Sequence, residues 1–374
     1  MSQILKQRFI LISIVPPSFS KEEANDDLEE LKSLVSTFGG ATIVRVIQKR
    51  DRPDKHSFIG KGKVQEVVQM IKTEKIDIVV LNSVVSSNQL FELETEFWKS
   101  NSKIKVWDRI DLILNIFDKH ASTAEAKLQI ELARMRHMGP KIFGMGMIMS
   151  RQGGGIGTRG IGETNTELMK RHWRDATKKV QDQLKKLSQE RERQIERRRE
   201  IGFKTISIIG YTNAGKSSLF NLLSGKKKLA KDVLFATLDT TVGKLYLPNI
   251  RQEVLLSDTI GFIQKLPATL IDAFKSTLME SIQAQLLIHV IDMSDPKMYE
   301  KITVVEQVLQ ELGIEEKQRL YVFNKVDQAQ MFNRNEIIEQ FGKYNPLFIS
   351  VKTEDGIKEL VETIEQKIAP KNTV

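Results

Sequence analysis

The chain contains no cysteine, which excludes disulfides and thiolate metal sites. Its five histidines, at 56, 120, 137, 172 and 289, show no metal-ligand spacing, so a metalloenzyme built on histidine ligands is not expected. Nowhere does an apolar run approach the roughly 18 residues of a membrane helix. The opening stretch MSQILKQRFILISIVPPSF carries an apolar run of only about eight residues, too short for a secretion signal, and reads as the first strand of a cytoplasmic protein.

What is present is ordinary in bulk and uneven in detail. At 374 residues, 40% hydrophobic and 28% charged, the chain is long enough for two or three domains. Its net charge of +9 is concentrated: residues 1–118 carry 17 basic and 17 acidic side chains, 119–204 carry 20 and 10, and 205–374 carry 20 and 21. A basic field confined to the middle is the footprint of a polyanion partner, RNA or DNA before acidic membrane; a solvated helix rich in Arg and Lys is the alternative.

Three segments follow from the hydrophobic pattern. Residues 1–118 alternate strand-like runs (RFILISIV, ATIVRVIQ, IDIVVLN, KIKVW) with amphipathic stretches, which predicts a small parallel α/β domain of nucleotide-binding type. Residues 119–201 carry apolar stripes at helical spacing, Leu128, Leu132 and Met135, then Trp173, Ala176, Val180, Leu184 and Leu187. These predict two long helices paired as an antiparallel hairpin, broken at Gly139-Pro140 and at the glycine-rich loop SRQGGGIGTRGIGE, residues 150–163. Residues 202–374 return to α/β alternation and predict a larger doubly wound domain. No oligomerisation surface stands out, and a monomer is expected.

The glycine loop has the GxGxxG spacing at Gly155, Gly157 and Gly160, but it lies between helices rather than after a strand, so a dinucleotide fingerprint is rejected. Arg151 and Arg159 on a glycine backbone suit close approach to folded RNA, with a plain flexible connector as the alternative. The methionine run MRHMGPKIFGMGMIMS reads as adaptable packing first and as a partner surface second.

A stronger nucleotide signal lies in IIGYTNAGKSSLF, which follows the strand TISIIG and opens a helix at Lys216. Gly210, Tyr211, Thr212, Asn213, Ala214, Gly215, Lys216 and Ser217 form a phosphate loop: backbone N–H groups turn inward, Lys216 meets the β- and γ-phosphates, and the Ser217 hydroxyl ligates Mg²⁺. Asp258, after the run EVLLS, is placed to hold Mg²⁺ through water, and the Gly261 N–H to sense the γ-phosphate. Thr237 in FATLDTT would complete the Mg²⁺ shell only with GTP bound. Asn324-Lys325-Val326-Asp327 selects guanine, because a buried carboxylate at Asp327 pairs with N1–H and the 2-amino group, which adenine lacks. Ser350, Val351 and Lys352 offer backbone N–H to the guanine carbonyl. Phe262 stands where Ras-like enzymes carry the glutamine that orients water, so unaided hydrolysis should be slow. Asn213 is placed either to coordinate K⁺ or merely to stabilise the loop.

Over nearly its whole length the chain resembles the HflX GTPases. The resemblance rests on FIGKGKV, VWDRIDLILNIFDKHASTAEAKLQIELA, SRQGGGIGTRGIGE, GYTNAGKSSLFN, FATLD, DTIGFIQKLP and LLIHVIDMSDP. It implies a P-loop GTPase domain preceded by the α/β domain and hairpin, and nucleotide contacts from 210 to 217, from Phe235, Ala236, Thr237, Leu238 and Asp239, from Asp258, Thr259, Ile260 and Gly261, from 324 to 327 and from 350 to 352, with Mg²⁺ on Ser217 and Thr237. It further implies hydrolysis stimulated by the large ribosomal subunit, splitting of stalled or stressed ribosomes, a hairpin tip reaching the peptidyl-transferase region, and some use of ATP. Two positions depart from the family pattern: Thr240 replaces a proline after FATLD, and Val351 replaces an alanine. A GTP-switched RNA or ribosome-assembly factor that splits nothing is the alternative function.

Overall fold

The computed structural model describes residues 6–152, 165–226, 234–235, 241–264, 270–271, 278–329 and 334–369, with the side chains of residue 140, 144–152 and 165–166 left out. The glycine-loop reading from residue 153 onward therefore lies outside the described residues, as do the methionine side chains at its entry. The chain divides into two compact units, residues 1–119 with 130–183, and residues 120–129 with 184–374.

The first unit begins β1 (Arg8–Val15), α1 (Lys21–Phe38), β2 (Ala41–Lys49), α2 (Lys61–Thr73), β3 (Ile78–Leu81), α3 (Ser87–Trp98), β4 (Lys105–Asp108) and α4 (Arg109–His120). The four strands form a parallel sheet in the order β2-β1-β3-β4. Helices α2 and α3 cover one face, packing Val67, Ile71, Leu93 and Phe97 on Ile10, Ile12, Val79 and Leu81. On the other face Phe9, Phe38 and Trp107 meet edge to face. Both α1 and α3 start at a reciprocal capping box, Ser20 with Glu23 and Ser86 with Gln89, each satisfying two otherwise orphaned backbone donors.

Helix α5 (Ala124–Gln152) runs through Gly139-Pro140 without the break the sequence predicts. At the same place a Cβ at Gly139 would lie 2.8 Å from the Trp173 indole nitrogen, so the missing side chain admits that ring. The indole donates to the Met135 carbonyl at 3.3 Å and meets Phe143 edge to face. Trp173 belongs to α6 (Asn165–Glu200), and within the first unit the pairings 135 with 177 and 143 with 170 make the two helices antiparallel.

The second unit carries β5 (Thr205–Gly210), α7 (Lys216–Ser224), β6 (Thr241–Leu247), β7 (Gln252–Asp258), α8 (Met279–Gln283), β8 (Leu286–Asp292), α9 (Met298–Glu311), β9 (Arg319–Asn324), α10 (Arg334–Phe341), β10 (Leu347–Phe348) and α11 (Ile357–Ile368). The sheet order is β10-β9-β8-β5-β7-β6, parallel except for the edge strand β6, which runs antiparallel to β7. Its central strands β5 and β8 are buried almost end to end, as strands covered on both faces must be. The end of α6 that belongs to this unit buries Ile195 and adds charged pairs. Arg191 bonds Glu125 at 3.0 Å, and Arg198 bonds the buried Glu280 at 3.2 Å, while the adjacent Ser281 hydroxyl shares a hydrogen bond with Ser207 of β5.

Candidate nucleotide site

Residues Tyr211–Gly215 link the end of β5 to the start of α7, at the carboxyl end of the parallel strands where open α/β sheets bind ligands. Gly210 (φ 145°) and Gly215 (φ 95°) hold backbone conformations that other residues resist. A Cβ on Gly210 would fall 2.3 Å from the Val290 carbonyl oxygen, and one on Gly215 would fall 2.2 Å from the Asn324 amide nitrogen. Asn213 also has positive φ, 63°, which asparagine tolerates better than most side chains.

Lys216 is buried, and its ammonium donates to the Tyr211 carbonyl at 2.6 Å. Burial depresses its pKa to about 8, with the Asp258 carboxylate pulling the other way. The Ser217 hydroxyl donates to Asp258 at 2.8 Å. Asp258 is fully buried at the end of β7, where pairing with Ile208 fixes its height beside the phosphate loop. A hydroxyl and a carboxylate side by side are the hard oxygen donors that Mg²⁺ takes. Thr259 ties its hydroxyl to the Ile208 carbonyl at 2.7 Å, Ile260 is buried, and Gly261 lies so close to Lys216 that an added Cβ would come within 2.8 Å of its ammonium. Phe235 is buried, whereas Ala236, Thr237, Leu238, Asp239 and Thr240 lie outside the described residues.

At the other end of the site the geometry adds to what the sequence says. Asn324 is buried with both side-chain atoms engaged: its amide donates to the Ala214 carbonyl at 2.9 Å and its oxygen accepts from Val351 N–H at 3.1 Å. It is a crosspiece between the phosphate loop and the turn at 350. Lys325 pairs with Asp292 at 2.7 Å, and Val326 N–H bonds the Ile349 carbonyl. The Ser350 hydroxyl donates to Asp327 at 2.8 Å and holds that carboxyl below its ordinary range; the same oxygen accepts from Thr353 N–H. Sequence reasoning gave Ser350 a backbone role and missed this hydroxyl. Asp327 itself is exposed, as is Lys352. The carboxylate expected from the sequence to be buried is exposed in the structure.

The first unit holds a second charged cluster. His137 lies 3.0 Å from Asp108 and 3.3 Å from Asp111, and Lys141 lies 2.9 Å and 3.1 Å from the same two carboxylates. Spacing along the sequence cannot show this group, because the fold brings helix α5 onto the β4–α4 junction. Burial by itself would lower His137, but hydrogen bonds to the two carboxylates push it up to about 9, against Lys141 at 2.7 Å. The three potential ligands Asp108, Asp111 and His137 converge on one point, yet the Lys141 ammonium already supplies the cation there.

A phosphate loop after the first strand of a doubly wound sheet, an acidic strand end beside its serine, and a guanine-type NKxD turn braced by Asn324 define a P-loop GTPase. Family models match residues 25–118 (GTP-binding GTPase N-terminal), 120–198 (GTP-binding GTPase middle region) and 205–325 (50S ribosome-binding GTPase). The GTPase HflX of Caldanaerobacter subterraneus subsp. tengcongensis is 42% identical over 97% of this chain and 81% of its own length. That of Escherichia coli is 36% identical over 94% and 81%. Among solved structures, SsGBP in complex with GDP covers 96% of this chain and 98% of its own at 25% identity, with a TM-score of 0.54. The chain belongs to the HflX family of GTPases: it binds guanine nucleotide and hydrolyses GTP. Among the described residues no helix is long and apolar enough to cross a membrane.

Proposed function

We propose that this GTPase binds the large ribosomal subunit, is stimulated by it, and splits or rescues stalled ribosomes. The carrying observation is the basic face of α6. Arg171, Arg174 and Lys178 are exposed at three- and four-residue steps, while Val180 of the same helix is buried and Trp173 and Ala176 are partly covered. A one-sided row of cations on a long helix fits the phosphates of folded RNA. The family model described as a 50S ribosome-binding GTPase supports the same partner.

In this reading residues 210–217 cradle the phosphates of GTP, Lys216 neutralises charge that grows on the β–γ bridge, and the Gly261 N–H contacts the γ-phosphate. Ser217, Thr237 and, through water, Asp258 would hold Mg²⁺, which would neutralise charge on the phosphate oxygens. Asp327 reads guanine, Lys325 lies along the base, and Ser350, Val351 and Lys352 close over it. Asn213 coordinates K⁺; faster turnover in NaCl than in KCl would remove that assignment. Phe262, 2% exposed, supplies no polar group to orient water, so the partner has to complete the catalytic arrangement.

The test is steady-state GTP hydrolysis in KCl with and without purified large subunits, paired with sedimentation of intact ribosomes. We expect a rise of about 100-fold, about 2.7 kcal/mol of barrier lowering, and conversion of whole ribosomes to subunits when GTP is present. No stimulation overturns the ribosome as activator. Stimulation without dissociation leaves a GTP-switched assembly factor.

A further inference from the structure

Tyr211 is the first residue past Gly210 in the phosphate loop, yet it is 6% exposed and its side chain is held by the segment that follows β7. Its hydroxyl accepts a hydrogen bond from the backbone N–H of Gln264 at 2.7 Å. Its neighbours form a parallel bridge with Phe262: Thr212 N–H donates to the Phe262 carbonyl at 2.8 Å, and Phe262 N–H to the Gly210 carbonyl at 3.1 Å. The face of the ring carries the Lys301 ammonium, 4.8 Å from its centre, which is also paired with Asp295. The Tyr211 carbonyl takes the Lys216 ammonium.

The segment from Asp258 to Gln264 is therefore pinned at both ends. Ile208 pairs with Asp258 at one end and Tyr211 with Phe262 at the other. Three steps along β5 thus face four along the second chain. The extra residue pushes Thr259-Ile260-Gly261 into a bulge, and Gly261 comes to rest against Lys216 and Thr212. With the Phe262 ring buried and unable to reach the site without unpacking, the stretch Ile260 to Phe262 bears on hydrolysis through the placement of its backbone.

We propose that Tyr211 is a positioning residue for GTP hydrolysis, its hydroxyl latching Gln264 so that Gly261 is held beside Lys216. The proposal rests on reading Lys216 and Gly261 as the groups that face the γ-phosphate, and not on any ribosomal partner. It separates Tyr211 from the rest of the loop: those residues meet the nucleotide and its ions directly, through backbone N–H groups and the Lys216 and Ser217 side chains, whereas this side chain acts on the opposite wall of the site.

Tyr211→Phe keeps the ring and with it the face that Lys301 covers, and removes the hydroxyl that accepts from Gln264. We expect kcat for GTP hydrolysis to fall about 10-fold, while the KM for GTP, the Kd for GDP and the melting temperature stay within about twofold or a degree or two of wild type. Trapping of GDP with aluminium fluoride, which needs the catalytic placement, should weaken in parallel with kcat. The Gln264 amide should exchange with deuterium slowly in the wild type and faster in the variant. Wild-type hydrolysis by Tyr211→Phe overturns the proposal. So does a parallel loss of kcat and GDP affinity, which would mean that the side chain merely shapes the phosphate cradle, and so does fast exchange of the Gln264 amide in both proteins. Lys216→Ala tells the premise apart: normal hydrolysis by that variant would overturn the reading of the phosphate site itself, whatever Tyr211→Phe does.

Discussion

The charged group at Asp108 in the first unit and the one at Asp258 in the second are built to opposite ends. Around Asp108 and Asp111 the positive charges come from the chain itself, His137 and Lys141, so the carboxylates are matched within the fold. Around Asp258 the nearest partners are a neutral hydroxyl, Ser217, and a lysine turned onto a backbone carbonyl. The first arrangement fastens α5 to the α/β domain. In the proposed reading the second presents Lys216 and the loop N–H groups to an anion, and the Asp258 carboxylate to a cation. Burial of charge alone does not mark a site; what matters is whether the chain has already neutralised it.

The contrast breaks most sharply at its two lysines. Lys141→Met leaves the buried Asp108 and the half-buried Asp111 with His137 in place of two cations, and should cost about 3 kcal/mol of stability in the first unit, read by denaturant unfolding, with GDP affinity unchanged. Lys216→Ala removes a desolvated ammonium from a loop held by its backbone. It should slow GTP hydrolysis at least about 100-fold, about 2.7 kcal/mol, with no loss of melting temperature. Asp327→Ala should weaken GDP binding about 10- to 100-fold, about 1.4–2.7 kcal/mol, and leave ADP binding as it was, measured by calorimetry. Equal losses for both nucleotides would show that Asp327 braces the turn through Ser350 rather than reading the base.

A pH series on the nucleotide-free protein sharpens the same comparison, because the two clusters respond with opposite sign. His137 is raised from 6.5 to about 9, so between those values the folded state keeps a proton that the unfolded chain releases, and stability falls as pH rises. Glu94, raised to about 7 by burial and by Asp111, adds a loss in the same direction from 4.5 to 7. Lys216 is lowered from 10.5 to about 8, so between pH 8 and 10.5 the unfolded chain holds the extra proton and stability rises. Unfolding followed by tryptophan fluorescence, all three tryptophans (Trp98, Trp107, Trp173) lying in the first unit, should shift to lower temperature from pH 6.5 to 9. The smallest effect belongs to an exposed pair: Lys32→Ala, which removes the partner of Glu29 at 3.5 Å, should change stability by less than about 0.5 kcal/mol.

Much of this was legible in the chain, for reasons that differ by element. The parallel strands announce themselves as short continuous apolar runs, and the phosphate loop, DTIG and NKVD are recognisable because each binds through residues adjacent in sequence. What escaped depends on distant partners. The Asp108–His137 group joins residues 29 apart, beyond the reach of a spacing argument. The proline at 140 reads as a break until the Trp173 indole is seen against Gly139. Asn324 reads as a ligand contact, and only the fold shows its amide spanning from Ala214 to Val351. The antiparallel β6 is marked only by its connection: four residues, 248–251, separate it from β7, too few for the crossover that a parallel pair needs.

The root of the hairpin also determines how the protein responds to ionic strength. Dissolved ions screen charges that they can surround, and at 1 M salt the screening length shrinks to about 3 Å. The cluster at Asp108 is out of their reach, whereas Arg171, Arg174 and Lys178 stand in water. Added salt should therefore loosen whatever polyanion the arm holds while the arm stays fastened to its domain, so that a high-salt wash releases the folded protein intact and ready to rebind on dilution.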